Sequence, residues 1–195
     1  MKNLLQHPAS WAGAVLFVLV LVRTRQRKQN STQRSVRPQS EVTLQRSPIE
    51  FPTAQELIGS AYFGRVGAVA TFEGVTRNNF NDKTVLTLEY EAYTSMALKV
   101  LDEIVDEALA QIEGLDKVYI IHKIGSCPVG ETSLFIAAMS AHRGPALRAI
   151  PLLVDHLKQR APIWKLEKYA KEEATWKENP EWTSFQNLRA KSHNQ

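Results

Sequence analysis

Two stretches of the chain place apolar residues at helical spacing. Between Met96 and Ile112 the stripe is Ala97, Leu98, Leu101, Ile104, Val105, Ala108, Leu109 and Ile112. Thr94 or Ser95 stands where a cap is needed, and Gly114 where the helix should end. The second stripe is Ala146, Leu147, Ile150, Leu153, Val154 and Leu157. Gly144 and Pro145 fit its N-cap and first position, and Ala161-Pro162 stops it. A third, short helix is expected through Ile58, because Thr53 and Glu56 have the spacing of a capping box.

Strand patterns lie between these helices. Gly67 to Phe72, Val118 to Ile124 and Ser133 to Ser140 are largely apolar runs, and Val85 to Tyr93 alternates. Ile163 to Tyr169 also alternates and puts Lys165 and Glu167 on one side. Glu73 to Lys83 and Gly125 to Thr132 read as loops. The order β-β-α-β-β-α-β predicts an α+β domain, a mostly antiparallel sheet with helices packed on one face.

The flanks differ in kind. Trp11 to Val22 is a 12-residue apolar run followed by Arg23-Thr24-Arg25-Gln26-Arg27-Lys28. A spanning helix needs roughly 20 apolar residues, so the run is short. Three readings stay open for it: a membrane anchor through residues 11–22, an organelle transit segment within residues 1–40, or an extension without a structural role. An anchor would leave the domain facing the cytosol, given the basic cluster behind it. Residues 23–48 are polar and basic and read as a disordered linker. This divides the chain into an extension over 1–48, a domain over 49–180 starting near Ile49, and a polar tail over 181–195.

Charge sharpens that division. The chain of 195 residues carries a net charge of +4, but seven of its 24 Lys and Arg lie in residues 1–40, where there is no acid. The remaining 17 face all 20 acidic residues, so the domain is slightly acidic. That argues against a broad nucleic-acid surface. Gly64-Arg65-Val66-Gly67 has the GXXG form of an RNA-binding loop, but two glycines are a weak signal on an acidic domain. The single cysteine, Cys127, excludes an internal disulfide and a cysteine-based zinc site and fits a reducing compartment such as the cytosol.

Candidate chemistry gathers around the second long helix. His142-Arg143 opens it, where backbone amides and the helix dipole favour anions. The guanidinium fork of Arg143 suits phosphate or carboxylate. Lys158 falls at the edge of the apolar stripe, and Lys165 lies just past the Pro162 turn, so the two amines can converge. Lys158 stands 13 residues beyond Pro145, about 20 Å along the axis. One small ligand can hardly reach both ends, so the site is either long or built by two copies of the chain. Arg77 sits in a turn-rich loop, as a phosphate ligand or as a hairpin tip. Plain alternatives exist for the others too: a surface arginine, a solvated helix end, an exposed strand face. His122, in an apolar run, reads as a satisfied core histidine, Cys127 as incidental, and Glu89 and Glu91 as solvated.

Taken together, certain segments resemble the large, catalytic subunit of molybdopterin synthase. They are Phe72-Glu73-Gly74-Val75-Thr76-Arg77-Asn78-Asn79-Phe80, Leu88-Glu89-Tyr90-Glu91-Ala92-Tyr93, His122-Lys123-Ile124-Gly125, Ser140-Ala141-His142-Arg143 and Leu157 through Glu167. The resemblance covers residues 50–179 and implies a hammerhead-type fold. It implies a homodimer that carries a small ubiquitin-like sulfur carrier on each end, making a heterotetramer. The carrier's Gly-Gly tail ends in a thiocarboxylate, whose sulfur goes to cyclic pyranopterin monophosphate; two transfers make the dithiolene of molybdopterin. Carried over by motif, the substrate-binding residues are Arg77, His142, Arg143, Lys158, Lys165, Leu166 and Glu167, with Lys158 and Lys165 catalytic. No metal or cofactor is implied for this step, and no nucleic acid.

Overall fold

The computed structural model describes residues 32–80 and 83–170, and the backbone of residues 175–177. The chain divides into two units, residues 1–31 and 32–195, and every described residue belongs to the second. The run at residues 11–22 and the tail at 181–195 lie outside the described residues. No helix among the described residues is long and apolar enough to cross a membrane.

The expected α+β architecture is present, but its strands form two sheets rather than one. In the first, β1 (Gln33–Arg37), β2 (Ser40–Gln45), β6 (Leu115–Lys123), β8 (Thr132–Ser140) and β3 (Ala68–Val75) lie side by side in that order. The second runs β10 (Thr175–Lys177), β9 (Ile163–Tyr169), β5 (Lys83–Ala92), β4 (Asn79–Phe80), with β7 (Gly125–Pro128) also paired to β5. All pairings are antiparallel except β2 with β6.

Helices α2 (Thr94–Gln111) and α3 (Arg143–Arg160) cover one face of the first sheet. Leu101, Ile104, Val105, Leu153 and Leu157 pack there with Val118, Ile120, Ile136 and Ala138. The opposite face, with Ile121, Phe135, Ala137 and Met139, is covered by Ile49 and by Leu57 of the short helix α1 (Ala54–Ile58). Strand β8 is therefore buried on both sides, which is why its sequence is an unbroken apolar run. Thr53 and Glu56 make the expected capping box.

The folded part begins earlier than Ile49. Residues 33–45, read as disordered linker, form the β1–β2 hairpin, and β2 lies beside β6 with Ser40 opposite Val118 and Gln45 opposite Lys123. Val42 and Leu44 are buried in the core. Asp102 of α2 holds the hairpin down: it accepts from Ser40 Oγ at 3.1 Å and from Ser35, and pairs with Arg37. The reason for the misreading is that β2 is made a strand by a partner more than 70 residues away, while its own composition is polar.

Smaller corrections concern element ends. His142, not Gly144, is the N-cap of α3, and Pro145 occupies the third helical position, where its missing N–H costs nothing. Ser140 Oγ accepts from the Ala146 N–H at 3.2 Å, tying the end of β8 to the first turn of the helix. Pro151 lies inside α3 and the helix runs through it. The loop expected at Glu73 to Lys83 contains β4, and the one at Gly125 to Thr132 contains β7.

Candidate active site

Ala161-Pro162 turns the chain from α3 into β9, and this turn decides the site. It brings the last turn of α3 and the inner face of the second sheet together around a cleft of about 700 Å³. Arg77 enters from the loop between β3 and β4, Lys158 from α3, and Lys165 and Glu167 from β9. The expected convergence of Lys158 and Lys165 is thus met, with the Arg77 guanidinium on the same cavity.

Alternation along β9 sets which side chains look inward. Lys165 lies opposite Tyr90, and Glu167 opposite Leu88, on the inner face. Leu166 lies opposite Glu89 and does not line the cleft, because one residue along a strand reverses the face. Glu167 is only 2% exposed. Its Oε1 lies 3.3 Å from Lys165 Nζ, and its Oε2 accepts from the Tyr169 hydroxyl. Lys165 Nζ also stands 6.0 Å from the centre of the Phe80 ring. A buried carboxylate held by two partners fixes the amine it pairs with.

Tyr90, His122 and Ser133 line the cleft as well, none of them a residue the sequence marked for the site. Burial pushes the Tyr90 hydroxyl above its ordinary pKa, and a hydrogen bond with Ser133 opposes this in part. Burial pushes His122 down to about 4, leaving a neutral imidazole at pH 7. Its Nδ1 lies 2.8 Å from the Lys123 carbonyl oxygen. Tyr90 was recognisable only as an apolar-face position of β5; its place across from Lys165 is set by the pairing of β5 with β9.

His142 and Arg143 are exposed at the opposite end of α3 and are not among the residues lining this cleft. A rigid helix of 18 residues keeps the two ends apart. Cys127 is fully buried, takes a hydrogen bond from Thr76 Oγ1 at 3.3 Å, and has its thiol pushed up by burial. Such a thiol is a poor nucleophile. Gly64 and Gly67 join a 3₁₀ turn at Ser60–Tyr62 to β3, and a Cβ on Gly67 would stand 2.6 Å from the Ala141 carbonyl oxygen. Both glycines therefore have a backbone role. Among the described residues no three His, Cys, Asp or Glu side chains are placed to share a metal ion.

The chain is similar to known proteins in sequence and in fold. Molybdopterin synthase catalytic subunit 2 of Aedes aegypti is 45% identical over 117 residues, 59% of this chain and 76% of that protein. The crystal structure of molybdopterin synthase from Staphylococcus aureus superposes with a TM-score of 0.59 at 31% identity, over 69% of this chain and 94% of that one. A complex of subunits 1 and 2 of the molybdopterin-converting factor from Helicobacter pylori contains a chain with a TM-score of 0.52, over 68% and 91% of the two chains. At 22% identity that last likeness concerns the fold alone. The family model described as MoaE protein matches residues 44–160, from the end of β2 to the last residue of α3. With both long helices, the first sheet beyond its β1–β2 hairpin, and Arg77 and Lys158 of the cleft inside that match, the chain belongs to the MoaE protein family.

Proposed function

We propose that this chain is the catalytic subunit of a molybdopterin synthase. In this reading it transfers sulfur from the C-terminal thiocarboxylate of a small ubiquitin-like carrier to cyclic pyranopterin monophosphate, in molybdenum cofactor biosynthesis. The observation that carries the reading is the convergence of Arg77, Lys158, Lys165 and Glu167 on one cleft. Both reactants are anionic, and three cationic side chains concentrate positive potential in a domain that is otherwise slightly acidic. Arg77 suits the phosphate, since its planar fork can make two parallel hydrogen bonds. Lys165, held by Glu167, supplies a fixed positive charge for the thiocarboxylate or the substrate. Lys158 is the candidate for moving a proton or stabilising charge at the attacked carbon.

His142 and Arg143 enter this scheme through a second copy. Their place at a helix start suits anions, and they do not line this cleft of their own chain, so they complete the cleft of the partner in a homodimer. The carrier docks with its tail reaching Lys158 and Lys165, and the assembly works in the cytosol. The Helicobacter pylori neighbour was itself solved as a complex of subunits 1 and 2 of its converting factor.

The test is sulfur transfer with thiocarboxylated carrier and cyclic pyranopterin monophosphate. Wild type should form the dithiolene. Lys158→Ala should still bind the carrier and lose activity by about 100-fold or more, the scale for removing a positioned acid or electrostatic group. A Lys158→Ala protein as active as wild type would remove the lysine from the mechanism. A wild type that binds the carrier but transfers no sulfur would make the chain a scaffold.

A further inference from the structure

His122 is a buried titratable group that the scheme above leaves unused. It stands on β6, on the helix-facing side with Val118 and Ile120, and is 5% exposed, with that small exposure on the cleft. Its Nδ1 can only approach the Lys123 carbonyl oxygen at 2.8 Å as a donor, so Nδ1 carries the proton. Because burial keeps the ring neutral, Nε2 carries a lone pair. Among the described residues Nε2 makes no hydrogen bond, and it is not one of the sealed side-chain atoms left without a partner. It is the ring nitrogen left for a ligand, on a residue that lines the cleft. The Tyr90 ring, 5.1 Å away at 79°, braces the imidazole plane.

The cleft's three cationic groups can only donate hydrogen bonds. Glu167, its buried acceptor, is already engaged by Lys165 and Tyr169. We propose that His122 Nε2 is a ligand-binding group that accepts a hydrogen bond from a ring N–H of a flat nitrogen heterocycle, while Arg77 holds the phosphate. This rests on reading the cleft as the pterin-phosphate pocket. It gives the site a way to separate a pterin phosphate from other phosphates, because a fixed acceptor left facing a ligand without a donor stays unpaired and costs affinity.

The experiment measures equilibrium binding of cyclic pyranopterin monophosphate and of inorganic phosphate to the full chain. His122→Leu should bind the pterin about 10-fold or more weakly, the scale of one lost hydrogen bond to a buried acceptor. It should bind inorganic phosphate like wild type. His122→Gln, which can offer a carbonyl oxygen, should recover part of the loss. Should His122→Leu not fold, wild type is compared on the pterin and on an analogue methylated at its ring N–H positions, with the analogue expected to bind more weakly. Equal binding of pterin by wild type and His122→Leu, or of pterin and analogue by wild type, overturns the assignment. Parallel loss of inorganic phosphate overturns it too, by making the role structural. If wild type itself binds no pterin, the pocket reading fails first and takes this assignment with it.

Discussion

His122 also has a consequence for stability. Its folded pKa of about 4 lies below the ordinary value of 6.5, so between those values the unfolded chain holds a proton that the folded chain does not. Stability then falls as pH drops through this window, by roughly 3 kcal/mol when the window is crossed in full. Urea unfolding at pH 7, 5.5 and 4 should show that loss in wild type, and His122→Gln should lose less by about that amount. Equal pH dependence in the two proteins would contradict the neutral imidazole. At this scale the sequence was informative about charge and silent about surroundings. Lys158 and Lys165 were legible as a converging pair because a proline turn separates them. Leu166 was carried along with its neighbours, yet strand alternation sends it to the other face. His122 read as a satisfied core residue, and one of its two nitrogens is that.

At the scale of elements, the tightest joint is where the loop into β3 crosses the end of β8. Gly67 N–H donates to the Ser140 carbonyl at 3.1 Å, and the added methyl of Gly67→Ala would collide with the Ala141 carbonyl. Backbone cannot yield as a flexible side chain does, so the substitution should cost about 1–3 kcal/mol, read as a lower melting temperature. Because Ala141 leads straight into His142, activity should fall beyond what the lost stability explains. An unchanged melting temperature would mean that the joint has slack. The long helices and the apolar strands β6 and β8 were legible because their periodicity is local. The β1–β2 hairpin was not: its buried residues are only Ser40, Val42, Thr43 and Leu44, and its partners β6 and Asp102 lie far along the chain. The division of the strands between two sheets was hidden for the same reason, since strand pairing is a long-range choice that no window of sequence contains.

For the whole molecule, the 18-residue span of α3 puts one anion-binding end in the cleft and the other outside it. The shared-site reading turns this separation into a prediction about assembly. Dimers mixed from Lys158→Ala and His142→Ala subunits should recover activity, because one of the two pockets then has both groups intact. Recovery should approach a quarter of wild type in a random mixture, half of the dimers being mixed with one good pocket each (an order-of-magnitude expectation, ~25%, if distant sites act independently). Mixtures no more active than either mutant alone would mean that each cleft works within its own chain.

The central claim is a place: the cleft between the two sheets, walled by Arg77, Lys158, Lys165 and Glu167, receives the phosphorylated pterin. A crystal structure of the chain with cyclic pyranopterin monophosphate tests it most directly. The account predicts the phosphate against the Arg77 guanidinium, the reacting carbon near the Lys158 amine, and the heterocycle reaching toward Tyr90 and His122. A pterin bound away from Lys158 and Lys165, with this cleft empty, would contradict it.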